Sequence, residues 1–192
     1  MKETKRRGRL VISALVAAVV VLGAGLYWFQ PWKIWQDQTV HEGLAAESPA
    51  ATPPTASSAP GRSPAPPSAA TPPAGPQTIA RGTLISHEHT TTGEVKLIRL
   101  PDGAHILRLE NLDTSNGPDL RVWLTDAPVK EGEAGWGVFD DGKYVSLGKL
   151  KGNKGDQNYE IPADVKPTDF SSLSIWCDRF NVSFGAASLT AV

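Results

Sequence analysis

Two patterns of apolar residues divide the chain. Residues 10–29 form a continuous apolar run of mostly Val, Ala, Leu and Gly, without a charged side chain. A helix rises about 1.5 Å per residue, so a run of this length spans the roughly 30 Å hydrocarbon core of a bilayer. Tyr27, Trp28 and Phe29 at its end are typical of an interfacial aromatic belt. We therefore predict a transmembrane anchor over residues 10–29, in contact with the lipid bilayer.

The charge that flanks this anchor predicts its orientation. Residues 1–9 carry five basic residues and one acidic residue, a net charge of +4, and basic flanks stay on the cytoplasmic side. We therefore expect a single-pass cell-membrane protein whose C-terminal part is extracytoplasmic. The alternative is a cleaved signal peptide, which has about 7–15 apolar residues and a small-residue cleavage site. The present run is longer and ends in bulky aromatic residues, which favours a retained anchor.

The composition changes again beyond the anchor. Residues 30–43 are predicted to be a membrane-proximal segment, and residues 44–78 consist mainly of Ala, Pro, Ser and Thr. Such a stretch has too little apolar surface to offset chain entropy, so we predict a disordered or polyproline II linker. At about 3.1 Å per residue it could serve as a stalk that reaches roughly 100 Å from the bilayer.

Apolar and polar residues alternate in short runs from residue 79 to residue 192. This two-residue period is typical of half-buried strands. The predicted strands contain residues 95–100, 107–110, 120–124, 144–147, 159–161, 173–177 and 180–184. Turn-forming pairs, among them Asp141-Gly142 and Gly155-Asp156, separate several of them. We predict an all-β domain over residues 79–192, an antiparallel β-sandwich or barrel-like fold, in addition to the one N-terminal transmembrane helix.

Charge and missing motifs exclude several classes of function. Residues 79–192 contain 12 basic and 16 acidic residues, a net charge of −4. A nucleic-acid-binding surface is basic, so nucleic acid is not an expected partner. The sequence also has no Gly-rich phosphate loop, nucleophile elbow or HExxH motif. Because no nucleophile–base pair can be identified, we do not expect a hydrolase or transferase. If the protein takes part in a reaction at all, we expect it to be an electron-transfer component.

Cys177 is the only cysteine of the chain. Exported proteins normally use cysteines in disulfide pairs, so a single one is an inert buried thiol, half of an intermolecular disulfide, or a reactive or ligating group. Alternation places Cys177 on one strand face with Leu173 and Ile175, which favours a small buried hydrophobe. Its position at a strand end, just before Asp178 and Arg179, favours a reactive or ligating thiol, because a nearby arginine can lower the pKa of a thiol.

Two histidines are candidate auxiliary groups. His87 and His89 are two residues apart, so they share one face if the segment is a strand. Imidazoles in this arrangement are half of a zinc or copper site, but no further ligand is identifiable, and we predict no metal site. Met1 is the only methionine, which excludes Met/His haem ligation in the domain. The cofactor stays unknown, with haem or a metal at Cys177 left open.

Several segments of the domain follow one another in an order that a known family shares. They are HTTTG at 89–93, NGPDLRVWL at 116–124, LGKLKGN at 147–153, GDQNYEIP at 155–162, SIWC at 174–177 and FNVSF at 180–184. Together they resemble the DM-thirteen domain family, also called the electron-transfer DM domain, over residues 81–189. The resemblance implies a β-rich extracytoplasmic module in electron transfer. It also implies that Cys177 is a redox thiol or a ligand to a prosthetic group.

Two hypotheses of function follow from the sequence. The first is a membrane-anchored redox or electron-transfer accessory that acts through Cys177, with a redox protein as partner. The second is a non-catalytic module of the cell envelope that binds another protein or a polymer. The two differ in what they require of the Cys177 thiol, which must be reactive or ligating in the first and only buried in the second.

Overall fold

The computed structural model describes residues 2–44 and 75–192. Its N-terminal helix extends over most of the basic flank and over the apolar run. Helix α1 comprises Lys2–Phe29, and a short 3-10 helix, Pro31–Trp35, follows it. The segment Ile12–Lys33 has 22 residues and a mean hydropathy of 2.2, and none of it is buried against the rest of the protein. The helix is thus long and apolar enough to cross a membrane, as predicted.

Eleven strands form two sheets in the described part of the chain. They are β1 Thr39–His41, β2 Gln77–Thr83, β3 Ile85–Ser86, β4 Thr92–Arg99, β5 His105–Asp113, β6 Leu120–Thr125, β7 Tyr144–Lys149, β8 Lys154–Ile161, β9 Ser172–Cys177, β10 Val182–Ser188 and β11 Thr190–Ala191. One sheet has the order β1-β8-β5-β4-β2-β11 and the other β3-β10-β9-β6-β7. All pairs are antiparallel except β1 with β8.

The core lies between the two sheets, because each sheet turns its alternating apolar residues toward the other. Leu107 and Leu109 of β5 belong to the same buried cluster as Val122 and Leu124 of β6. Two sheets that share a core in this way form a β-sandwich. The predicted all-β sandwich with one N-terminal helix is therefore confirmed.

The structure differs from the predicted strands and turns at two places. Gly155 and Asp156, predicted as a turn, lie inside β8, because Gly155 pairs with a strand that the pattern did not reveal. Phe180, predicted as a strand residue, lies in a turn that ends with Asn181 at a positive φ of 51°. We call residues 178–181 the β9–β10 turn.

Two strands come from residues that the sequence assigned to other segments. β1 lies in the predicted membrane-proximal segment 30–43, and β2 begins at Gln77, at the end of the predicted linker. Residues 45–74 of that linker lie outside the described residues. The six-stranded sheet thus contains strands from both sides of the linker.

Candidate functional site

Cys177 is the last residue of β9, a strand that is buried along its whole length. Its side chain is 0% exposed and lies in the main core with Leu173 and Ile175, on the face that the alternation predicts. β9 lies in the middle of its sheet, and Cys177 pairs with Leu120 of β6 and Val182 of β10. The sulfur is therefore enclosed at one end of the sandwich, where β9 passes into the β9–β10 turn.

Two opposing effects act on the Cys177 thiol. Burial raises its pKa, whereas the nearby backbone N–H groups of Phe180, Arg179 and Asp119 lower it. Burial is the larger effect, and the Asp119 carboxylate adds to it, so the pKa lies above its usual value. The protonated thiol is the resting form, and it is a weak nucleophile, because thiol reactions proceed through the thiolate.

Arg179 does not act on the thiol as the sequence predicted. Its guanidinium donates a hydrogen bond to the Trp28 carbonyl oxygen at 2.5 Å and lies 4.4 Å from the centroid of the Trp28 ring. Of Arg179, only the backbone N–H lowers the pKa of the thiol. Beside it, the Phe180 ring stacks on Phe29 with centroids 6.1 Å apart. The β9–β10 turn therefore joins the Cys177 end of the domain to the end of α1.

Charged side chains surround the two segments that supply these N–H groups. Arg121 Nη2 lies 3.3 Å from the Asp119 carboxylate, and Arg121 Nε lies 3.1 Å from Asp178, without the alignment of a hydrogen bond. Lys149 Nζ lies 3.8 Å from Asp119, and the Asp178 N–H donates to the Asp119 carbonyl at 3.0 Å. These contacts hold the start of β6 and the end of β9 together around the sulfur.

His89, the predicted auxiliary residue, lies beside the same turn. Its ring centroid is 3.9 Å from that of Phe184, and its Nε2 is 2.6 Å from the Glu88 carboxylate. Phe184 belongs to the core cluster that contains Cys177. His89, Phe180 and Phe184 line a cavity of about 200 Å³ at the end of α1. The structure thus brings His89 and the surroundings of Cys177 to one cavity.

His87 lies in a different environment. It is 8% exposed, its Nδ1 is 2.8 Å from the Ser183 hydroxyl, and its Nε2 is 3.0 Å from the Lys130 carbonyl oxygen. Its ring stacks on Phe139 with centroids 5.7 Å apart. Burial lowers the pKa of His87, and the bond to Lys130 only partly opposes this. A buried, neutral and fully bonded imidazole is a structural group, which ties the 126–143 loop to the strands beneath it.

The two imidazoles do not lie on one strand face, as their spacing had suggested. β3 ends at Ser86 and residues 87–89 form a bend, so the condition for a shared strand face is not met. His87 packs on Phe139, and His89 packs on Phe184. Within residues 2–44 and 75–192 there is no group of three or more His, Cys, Asp or Glu side chains that could hold a metal ion.

The chain matches the family described as Electron transfer DM13 over residues 83–189, which is more than half of its 192 residues. The protein belongs to the DM13 family. This confirms the resemblance seen in the sequence motifs, and it supports a redox-related module. No curated protein and no solved structure matches the chain. The DM13 match includes Cys177, His87 and His89, and it covers neither α1 nor β1.

The DM13 domain also carries an aromatic stack that sequence reasoning missed. Trp123 lies between Tyr144 and Trp176, with ring centroids at 4.0 Å and 4.9 Å. Nε1 of Trp123 and of Trp176 is buried without a hydrogen-bond partner among the described residues, so packing alone holds the stack. The available signal was two tryptophans at positions that alternate with core residues in β6 and β9, which indicates a second buried face on that sheet.

Proposed function

We propose that this DM13 protein is a membrane-anchored, extracytoplasmic redox accessory whose working group is the Cys177 thiol. The observation that supports this is the place of the thiol at the end of β9, where the backbone N–H groups of Phe180, Arg179 and Asp119 lower its pKa against the effect of burial. Fixed donors stabilise negative charge on sulfur, so they favour the thiolate or an oxidised, anionic form once it arises. A cysteine that serves only as a small hydrophobe has no need of them.

Access to the sulfur is the step that this function requires. The thiol is 0% exposed, so a partner cannot reach it in the closed fold. The β9–β10 turn covers it, and Phe180 of this turn is 46% exposed. Turns with few buried contacts open at lower free energy than core strands do. Movement of this turn therefore exposes the thiol without unfolding of the sandwich, and His89 on the adjoining cavity is the auxiliary residue.

Alkylation of the full-length protein in detergent tests this proposal. N-ethylmaleimide should modify Cys177 faster than the protein unfolds globally. Intact-mass spectrometry measures the rate of modification, and hydrogen exchange measures the rate of global unfolding. Phe180→Ala removes the side chain that seats the turn and should accelerate modification. His41→Ala is the control, since the His41 ring is exposed on β1 and away from the turn. A colourless, metal-free protein whose thiol reacts only at the rate of global unfolding would refute the redox function.

The extracytoplasmic orientation rests on the +4 charge of residues 1–9. Val192 is 63% exposed, so a reporter can follow it. Alkaline phosphatase fused there should be active, because it folds only outside the cytoplasm, and a fluorescent protein that matures only in the cytoplasm should stay dark. The reverse pair of results would invert the topology.

A binding module of the cell envelope is the second candidate. The burial of Cys177 and its raised pKa are those of a structural cysteine. An open cavity of about 730 Å³ also lies beside β2, lined by Arg81, Glu94, Lys96 and Glu131 among others, and its mixed charge suits a polar polymer or a protein surface. In that case Cys177→Ala would leave function intact, whereas charge reversal at Lys96 would abolish binding.

A further inference from the structure

Strand β1 connects the membrane-proximal segment to the folded domain. Thr39, Val40 and His41 pair in parallel with Lys154, Gly155 and Asp156 of β8. The Lys154 N–H donates to the Gln38 carbonyl at 3.2 Å, and the Glu42 N–H donates to the Asp156 carbonyl at 3.0 Å. β1 therefore completes the edge of the six-stranded sheet, although it precedes the linker in sequence.

The surface that receives β1 leaves room for its backbone only because it contains glycine. Gly155 has a φ of 92°, and a Cβ atom there would collide with the Val40 carbonyl oxygen. A Cβ atom at Gly152 would collide in the same way with the Gln38 carbonyl oxygen. A positive φ and a close backbone approach are the two conditions that require glycine. The edge of the domain is thus shaped for this strand.

Side chains hold the N-terminal end of β1. Asn153 accepts a hydrogen bond from the Gln38 N–H at 2.7 Å and donates one to the Asp37 carboxylate at 2.8 Å. Lys154 Nζ lies 3.1 Å from the same carboxylate. Asn153 is itself buried and also donates to the Thr114 carbonyl at 2.8 Å, so it links β1 to the interior of the domain.

Glu42 holds the C-terminal end of β1. Its carboxylate accepts hydrogen bonds from Lys151 Nζ at 2.8 Å and 2.9 Å and from the Asn158 N–H at 2.8 Å. Its backbone carbonyl accepts a bond from Arg108 at 2.7 Å. Hydrogen bonds to charged groups are the stronger ones in proteins, so this residue carries much of the attachment. We call residues 37–43 the clasp.

We propose that the clasp holds the domain non-covalently beside the end of α1, so that the covalent linker does not set the distance between domain and membrane. Only residues 30–38 separate α1 from β1, whereas residues 42–76 lie between β1 and β2. The β9–β10 turn meets Trp28 and Phe29 on the same side. The Cys177 end of the domain thus faces the membrane, and its partners are those found at the membrane surface. This attachment is independent of whether Cys177 is redox-active.

Cleavage of the linker distinguishes a domain that the clasp holds beside α1 from a domain that only the linker holds. A recognition sequence for a specific protease replaces residues 58–64 in the full-length chain, which carries an N-terminal affinity tag and is purified in detergent. After cleavage, the domain fragment is captured with the tagged anchor and quantified. A clasp retains most of the fragment on the anchor, whereas a simple stalk releases it as fast as the linker is cut. Complete release would overturn the proposal.

Variants in the anchor fragment leave the sequence of the domain unchanged. Glu42→Ala and Val40→Pro should each lower the retained fraction, with an affinity loss of at least about tenfold. His41→Ala is the matched control, because His41 is exposed on the same strand, and it should retain the fragment as the wild type does. Equal retention by Val40→Pro would show attachment by another surface. If the tagged anchor captured the domain of a second, untagged chain, the domain would exchange between chains. Either this result or equal retention by Val40→Pro would overturn the proposal.

Discussion

His87 provides a direct test of how burial and hydrogen bonding combine in the outer layer of the domain. We predict that His87→Leu lowers the free energy of unfolding at neutral pH, because it removes both imidazole hydrogen bonds at nearly constant volume. The bonds to Ser183 and to the Lys130 carbonyl oxygen are 2.8 Å and 3.0 Å long. At about 1 kcal/mol for each, the loss is about 2 kcal/mol.

The pH dependence of this loss follows from the direction of the pKa shift. Burial lowers the pKa of His87 below its ordinary value of 6.5, so the unfolded state takes up a proton before the folded state does. Acid then favours unfolding, and the stability supplied by His87 is complete above about pH 7.5. It falls below pH 6.5 by at most about 1.4 kcal/mol per pH unit, the limit for one proton. The fall ends once the pH is below the folded-state pKa.

Urea unfolding of wild type and His87→Leu between pH 5.5 and 7.5 measures this effect. The difference in the free energy of unfolding between the two proteins should shrink as the pH is lowered, and the remaining histidines cancel because both proteins contain them. A difference that is constant, or that grows toward acid, would refute the assignment of His87 as a buried neutral group. A difference near zero at pH 7.5 would refute the energetic role of its two bonds.

Three further predictions concern the aromatic stack, the thiol and the clasp. Trp123→Ala removes the middle ring of the stack and should lower the free energy of unfolding by about 3–5 kcal/mol, measured by urea unfolding. Cys177→Ala should lower it by about 1 kcal/mol, and retention of all function in that variant would favour the binding module. For Glu42, burial raises the pKa, but the bonds from Lys151 and Asn158 and the charges of Lys151 and Arg108 outweigh it, so the pKa is lowered. The clasp should therefore be stable above pH 4.5 and weaken as the pH falls through the folded-state pKa of Glu42. Fragment capture at pH 6 and pH 3.5 checks this.

The sandwich was predictable because its central strands bury one face each. The alternation around Leu107, Val122 and Ile175 carries the two-residue period directly, and the apolar run of α1 is equally plain. The face of Cys177 followed from the same period. The predictions failed where a residue distant in sequence decides the structure. A Gly-Asp pair indicates a turn, but Gly155 and Asp156 lie in β8 because β1 packs against the glycine.

β1 illustrates the limit of local patterns. Three residues, Thr39–His41, are too few to show a period, and 35 residues separate the end of this strand from β2. Its stability comes from Glu42, Asn153 and the room above Gly155, all of which are tertiary features. The direction of the Arg179 side chain was equally unpredictable, because Trp28 attracts it from another element. Sequence could name the residues near the thiol, but not their orientations.

The clasp and the thiol should be coupled, because the β9–β10 turn lies between Cys177 and the end of α1. Release of the clasp frees the helix end, which removes the Arg179 contact to Trp28 and the Phe180 contact to Phe29. The turn then opens more readily, since it keeps fewer contacts in its closed position. Glu42→Ala should therefore accelerate alkylation of Cys177 although Glu42 belongs to the opposite sheet, whereas His41→Ala should not. By linkage, modification of the thiol that holds the turn open should in turn weaken fragment retention. Identical alkylation rates in Glu42→Ala and wild type would show that the turn is held by the domain alone.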